Sequence, residues 1–368
     1  FMSRTLIVAP NWIGDAVMSL PLLDILQEKG WTIDVLATPW VKPVYQSSLA
    51  VCDVLDANLV HGQIQLYTRW SLAKIIKLRN YDRCVILPNS FKSALIPWLA
   101  NIPERIAYIG ELRSPLLTAT LPNPPKKNRP AMVEHYAQLA NLSPAPRESI
   151  KVDLEKVQLL PKLYVQPERQ LQARQFLENL WLKQNITAPK VHILAPGAEF
   201  GNAKQWPSAH FARLATLLLK SDPAHVTVII GSHKDREIGA EIQALIPDHL
   251  RKRSYQLCGT ITLESAIAII SIATSLASND SGIMHIGAAL GVSQIALFGS
   301  SDPKHTPPLS PFAKILYLGL DCSPCHQRKC PLGHLNCLRQ ITPDIAFEAI
   351  LDAISQRNLN APPSTPVS

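Results

Sequence analysis

The amino-acid sequence predicts an α/β protein made of two successive halves, each a parallel sheet with crossover helices. Three observations carry that prediction. Short β-branched runs alternate with longer amphipathic runs along the chain. The alternation restarts after a proline-bearing connector near the middle. A chain of 368 residues, 47% hydrophobic and 17% charged, can bury two cores and is too apolar for disorder.

In the first half, segments 5–9, 33–37 and 83–87 read as strands and 16–28 and 71–78 as helices. The stretches LPNPPKKNRP and LSPAP mark loops around a helix at 131–140. A helix at 167–182, flanked by proline-bearing connectors, is expected to close the first domain and act as its hinge. In the second half, strands at 191–195, 226–231, 275–278 and 294–298 alternate with helices at 207–220, 235–245, 262–270 and 283–290. The expected division is a first domain over 2–182, a second over 183–342, a last helix at 343–356 and a disordered tail over 357–368.

The net charge of +8 favours anionic partners. Its basic knots are small and scattered, which argues for small anions or a membrane surface and against nucleic acid. The first apolar segment has no basic leader or cleavage site, so no signal peptide is expected. The longest apolar stretch, LESAIAIISIATSLAS, contains Glu264 and falls short of the ~20 residues a membrane span needs. A cytoplasmic protein is expected. Cys52, Cys84 and Cys258 read as small buried hydrophobes, whereas Cys322, Cys325, Cys330 and Cys337, near His326 and His334, fit a zinc site or free or paired thiols.

Four polar loops follow strands of the second half. In LASNDSGIMHIGAALG a turn opens directly into a helix whose free N–H groups suit a diphosphate, with Ser281 and Gly282 as donors, Asp280 as cap or sugar ligand and His285 one turn in. The same residues also make an ordinary N-cap. LFGSSDPKHTPP supplies a second polar turn beside it, and two such loops at one sheet edge form a ligand crevice. APGAEFGNAKQWP adds Gly197, Ala198 and Lys204, whose ammonium can neutralise a phosphate. IIGSHKDREIG offers His233, Lys234 and Asp235 to a ribose or adenine. Neither G-x-G-x-x-G nor G-x-x-x-x-G-K-[ST] occurs, which disfavours a standard dehydrogenase or P-loop ATPase. The loop PNWIGDAVMSLP after the first strand stands where a glycine-rich phosphate loop would, yet has one glycine and a carboxylate, Asp15, and an anion at a helix N-terminus repels phosphate.

PNWIGDAVMSLPLL, LPNSFKSALIPWLANIPERIAYIGELRSPLL, APGAEFGNAKQWP and NDSGIMHIGAALG, in that order, resemble the ADP-heptose-dependent heptosyltransferases of glycosyltransferase family 9, over about residues 4–350. The resemblance implies a GT-B architecture, two Rossmann-like domains across a cleft, with the acceptor on the N-terminal half and the donor on the C-terminal half. It implies an inverting transfer of L-glycero-D-manno-heptose from ADP-heptose to the lipopolysaccharide inner core, with no cofactor and no essential metal. Asp15 then holds the general-base position, although helix capping is its simpler reading. Lys204 would stabilise the ADP leaving group, and Gly197, Ala198, His233, Asp235, Asp280, Ser281, Gly282 and His285 would hold the donor. Asn89, Ser90, Lys92, Arg105 and Arg113 would meet the acidic, lipid-linked acceptor, each being equally readable as solvated surface. PNSFKSAL favours the member that acts on the first heptose of a heptosyl-Kdo2-lipid A acceptor; another heptosyltransferase, or a nucleotide-sugar-binding protein without catalysis, is the alternative. Transient contact with the inner face of the inner membrane is expected. LAKIIKLRNY reads first as a helix packed on the sheet and second as a docking helix.

Overall fold

The computed structural model describes residues 3–59, 63–125, 129–142, 153, 157–184, 186 and 188–360. They form two units that divide after Tyr164, Phe1–Tyr164 and Val165–Ser368. Each unit contains a parallel six-stranded sheet.

The first sheet comprises β1 (Arg4–Val8), β2 (Thr32–Ala37), β3 (Val51–Asp56), β4 (Arg83–Ile86), β5 (Glu104–Tyr108) and β6 (Ala119–Leu121), in the order β3-β2-β1-β4-β5-β6. Strand β1 is apolar throughout its centre because helices cover both faces of a parallel sheet. Its Val8 pairs with Leu36 of β2 and Ile86 of β4. The strand order reverses between β1 and β4, so the loops leaving their carboxyl ends part and open a crevice.

The second sheet comprises β7 (Lys190–Ala195), β8 (His225–Ile229), β9 (Ser254–Gln256), β10 (Ser275–Asn279), β11 (Gln294–Leu297) and β12 (Ala313–Leu316). Its order, β12-β11-β10-β7-β8-β9, is the same wiring met from the other edge, with the reversal between β7 and β10. Its core gathers around Trp206, Phe211 and Leu218, all fully buried, and Trp206 donates its Nε1–H to the Ile341 carbonyl at 2.9 Å.

The expected strands and most of the helices are present, with instructive departures. The single helix expected at 16–28 is two, Ile13–Met18 and Leu20–Glu28, because Pro21 supplies no N–H to the preceding turn. The short strands β3, β5, β6, β9 and β12 were not expected. β3 and β12 are only partly buried and lack a continuous apolar run.

The helix Pro167–Trp181 was assigned to the first domain, but it packs on the helix Leu263–Ser271 of the second unit. Ala173, Leu177 and Trp181 are its buried stripe, Arg169 pairs with Glu264 at 2.8 Å, and the Trp181 ring lies 5.9 Å from that of Tyr255. An apolar stripe states that a helix has a partner without stating which. The last helix runs over Pro343–Asn360, so 357–360 are helical where a tail was expected. The rest of that expected tail lies outside the described residues, as do the LSPAP stretch beyond Leu142 and part of PKKNR.

Candidate catalytic and binding sites in the two units

In unit 1 the crevice between β1 and β4 is a pocket of about 340 Å³. Asp15 lines it from the first turn of the helix Ile13–Met18. Among the described residues no hydrogen bond or ion pair reaches its carboxylate, and the helix has no side-chain cap. Burial raises the Asp15 carboxyl from its ordinary range to about 6. A carboxylate that neither caps nor pairs, in a cavity, with a pKa close to neutrality, is equipped to take a proton from a bound hydroxyl.

The expected acceptor residues separate into two groups. Asn89, Ser90 and Lys92, which follow β4, line the same pocket as Asp15. Arg113 does not face it. It is fully buried, and its guanidinium donates to the carbonyls of Tyr108, Pro88 and Ser90, to Ser93 Oγ at 3.0 Å and to Asn89 Oδ1 at 3.1 Å. Burial, opposed by the nearby Glu111 carboxylate, pushes the Arg113 guanidinium down to about 10. Its place is beneath the loop that presents Asn89 and Ser90. Arg105 is likewise engaged by backbone, donating to the carbonyls of Leu116, Ile102 and Pro103. It is absent from the pocket wall.

Sequence reasoning missed Arg69, a buried arginine of the helix Leu66–Lys77 that lines the pocket. It donates to the carbonyls of Ile64 at 2.6 Å and Lys92 at 2.8 Å, and no described carboxylate pairs with it. Desolvation lowers its guanidinium from the usual range. A buried cation on a pocket wall without an internal counter-charge marks a place for an anionic ligand. His135 and Tyr136 were missed as well, and Tyr136 stands close enough to Asp15 for the carboxylate to add to the burial that raises its phenol. In LYTRW the arginine stands among a leucine and two aromatic residues, and that pattern carried no sign that Arg69 turns inward.

In unit 2 the loops leaving β7, β8, β10 and β11 meet at the carboxyl edge of the sheet. Lys204 Nζ lies 2.5 Å from Asp280 Oδ2, and Ser301 Oγ donates to the same oxygen at 2.5 Å. Asp280, expected to hold sugar hydroxyls, therefore aims the Lys204 ammonium through Oδ2. Asn279 joins two loops: its Oδ1 accepts from the Trp206 N–H at 3.0 Å and its Nδ2 donates to the Pro196 carbonyl at 2.7 Å.

Ser281 caps the helix Gly282–Ala289 in extended backbone with no side-chain bond to the first turn, leaving the leading N–H groups unclaimed by a side chain. His285 is buried one turn in. Desolvation, with Lys204 assisting and Asp280 opposing, lowers its imidazole to about 4, so it is a neutral ring at pH 7. Gly197 and Ala198 sit half-buried in the β7 loop. A side chain at Gly197 would collide with Asp235 Oδ2, 2.6 Å from where its Cβ would lie. Asp235 closes a capping box, accepting from the Ser232 N–H and hydroxyl at 2.7 Å each, while His233 is exposed.

The cysteine segment backs these loops. The Ala203 N–H donates to the Arg328 carbonyl at 3.1 Å, the His326 N–H to Ser300 at 2.7 Å, and Ser323 Oγ to Gly299 at 2.5 Å. Cys322, Cys325, Cys330 and Cys337 line a void of about 20 Å³ with Ala203 and Ser300. All are free thiols. Backbone N–H groups, that of Leu335 foremost, lower the Cys330 thiol. Among the described residues no group of three or more His, Cys, Asp or Glu side chains is placed to hold a metal ion.

The family model described as glycosyltransferase family 9 (heptosyltransferase) matches residues 69–336. The chain is 36% identical to the lipooligosaccharide heptosyltransferase 2 of Haemophilus influenzae, over 95% of this chain and 99% of that one. It is 34% identical to the lipopolysaccharide heptosyltransferase 2 of Escherichia coli, over 94% and 97%. The solved structure of E. coli ADP-heptose LPS heptosyltransferase II superposes with a TM-score of 0.80 at 31% identity, covering 96% of this chain and 99% of that one. A glycosyl transferase family 9 structure from Veillonella parvula, at 17% identity, shares the fold with a TM-score of 0.78 over 96% and 98%.

Proposed function

The chain belongs to glycosyltransferase family 9, with a fold of the GT-B class, and from that premise we propose that it transfers L-glycero-D-manno-heptose from ADP-heptose to the first heptose of the lipopolysaccharide inner core. The observation that carries the chemistry is the unpaired Asp15 carboxylate in the unit 1 pocket, its pKa lifted to about 6.

In the proposed reaction Asp15 accepts the proton of the acceptor hydroxyl as that oxygen bonds to the anomeric carbon of the donor. The bond from the anomeric carbon to the diphosphate oxygen breaks in the same step, inverting the centre, and ADP leaves with the electron pair. Lys204, aimed by Asp280, meets the charge developing on the diphosphate. The leading N–H groups of the helix at Gly282 and the neutral ring of His285 hold the same group. The β7 loop at Gly197 and Ala198, with His233 and Asp235 beside it, would take the nucleoside.

Asn89, Ser90, Lys92 and Arg69 line the acceptor pocket, and the two cations suit the acidic groups of a Kdo-bearing acceptor. Arg113 supports this wall from behind, through Pro88, Asn89, Ser90 and Ser93. Every charge in the scheme is supplied by side chains and backbone, and no step is routed through a metal. Because the acceptor is lipid-linked, the proposal places the enzyme transiently at the inner face of the inner membrane. No helix among the described residues is long and apolar enough to cross a membrane.

The test is incubation with ADP-heptose and core acceptors carrying no, one or two heptoses, with product mass as readout. A single added heptose on the one-heptose acceptor is expected. Transfer only to the heptose-free acceptor would assign the chain to a different member of the family, and donor binding without turnover would leave a nucleotide-sugar-binding protein.

A further inference from the structure

The helix Leu66–Lys77 buries Arg69, Ala73 and Ile76 on one side. Its other side is open and unusually rich in large apolar groups: Leu66, Tyr67, Trp70 and Ile75 are 58%, 78%, 46% and 56% exposed. Lys74 and Lys77 lie among them, and the Lys74 ammonium sits 3.3 Å from the centroid of the Trp70 ring. Residues 57–81 contain no Asp or Glu. Neither lysine has a carboxylate partner among the described residues.

Aromatic rings interleaved with lysines and free of acids are the composition of a helix lying at a bilayer surface. The rings settle at headgroup level, the aliphatic groups sit just beneath, and the ammonium groups meet anionic lipid. A protein partner is a poorer fit, since lysine is depleted from the centres of protein interfaces. The position is also apt, because Arg69, on the buried side of this helix, reaches the pocket that holds Asp15.

We propose that the exposed face of the helix Leu66–Lys77 docks on an anionic lipid bilayer, lying in its plane and bringing the acceptor pocket to the membrane surface. The purpose assigned to this docking rests on the lipid-linked acceptor proposed above; the docking itself rests on the composition of the helix face.

The full chain is tested by co-sedimentation with vesicles of phosphatidylethanolamine, with and without phosphatidylglycerol. It is expected to pellet with the phosphatidylglycerol vesicles and to release as salt is raised. The double variant Lys74→Gln, Lys77→Gln is expected to lower this partitioning roughly 30-fold at low salt. Trp70→Ala with Ile75→Ser is expected to lower it about tenfold. Brominated lipid should quench a fluorescence component that is missing in Trp70→Phe. Transfer to a deacylated, water-soluble acceptor should be unchanged in all these variants.

Equal partitioning of the variants and the unaltered chain, binding indifferent to phosphatidylglycerol, or sedimentation without vesicles would each overturn the docking. So would a loss of transfer to the soluble acceptor in the lysine variant, because the helix face would then belong to the binding site. Failure of the unaltered chain on the soluble acceptor would count instead against the transferase reading, and the vesicle result would stand separately.

Discussion

Asp15 couples activity to stability at a single residue. Its carboxyl titrates near 6 in the folded chain and near 3.9 in an unfolded one, so the folded state binds the proton more tightly. The ionised form therefore costs stability, nothing below about pH 4 and fully above about pH 6, by roughly 1–3 kcal/mol. Asp15→Asn should raise the melting temperature at pH 8 and leave it unchanged at pH 4, as read by calorimetry. The same variant should lose about 10²–10⁴-fold in kcat while ADP-heptose binding, followed by titration calorimetry, is retained. In the unaltered enzyme kcat/KM should fall about tenfold per pH unit below 6, as the base becomes protonated. Lys204→Ala should lower turnover about 10²–10³-fold and also destabilise, since it strands the buried Asp280. Adding Asp280→Asn should recover stability in a urea titration and no activity. Asp15 and Lys204 stand out in the sequence, Asp15 as the one charged residue of PNWIGDAVMSLP and Lys204 as the one cation of the glycine-bearing APGAEFGNAKQWP. The pairing of Lys204 with Asp280 was not legible there, since it joins residues that are adjacent only after β7 and β10 pair.

Loops and helices show a different limit. Arg105 and Arg113 belong to a stretch that resembles the family, yet neither reaches the pocket, because the carbonyls of Leu116, Ile102 and Pro103 engage the first and those of Tyr108, Pro88 and Ser90 the second. Sequence spacing gives the charge of an arginine and is silent on the carbonyls around it. Arg113→Met should cost about 2–4 kcal/mol in urea unfolding, as buried carbonyls lose their donors, and should raise the acceptor KM while leaving the donor KM unchanged. Asn279→Ala should do the reverse, raising the donor KM with a stability loss of about 1–3 kcal/mol, because it releases the β7 loop from β10. Helix periodicity located most helices well, whereas the split at Ser19 depended on one proline inside an otherwise continuous apolar pattern.

At the scale of the whole chain, the two-unit plan was legible because strand-helix alternation occurs twice, and the six-stranded sheets agree with it. The boundary was harder to read. Pro167–Trp181 carries an apolar stripe that any neighbouring helix could cover, and the contacts assign it to unit 2. Residues 165–360 expressed alone should therefore fold cooperatively and bind ADP without catalysing transfer. A fragment starting at 183 should be less stable by several kcal/mol, having lost the burial of Ala173, Leu177 and Trp181. Circular dichroism melts of the two fragments decide this. The tip following the first strand is an equivalent address in both sheets, and one address holds an acid while the other holds an ammonium group. The scaffold is thus indifferent to polarity, and a dozen or so residues of loop assign each half its sign. Grafting one tip onto the other strand would transplant the charge and leave the architecture untouched.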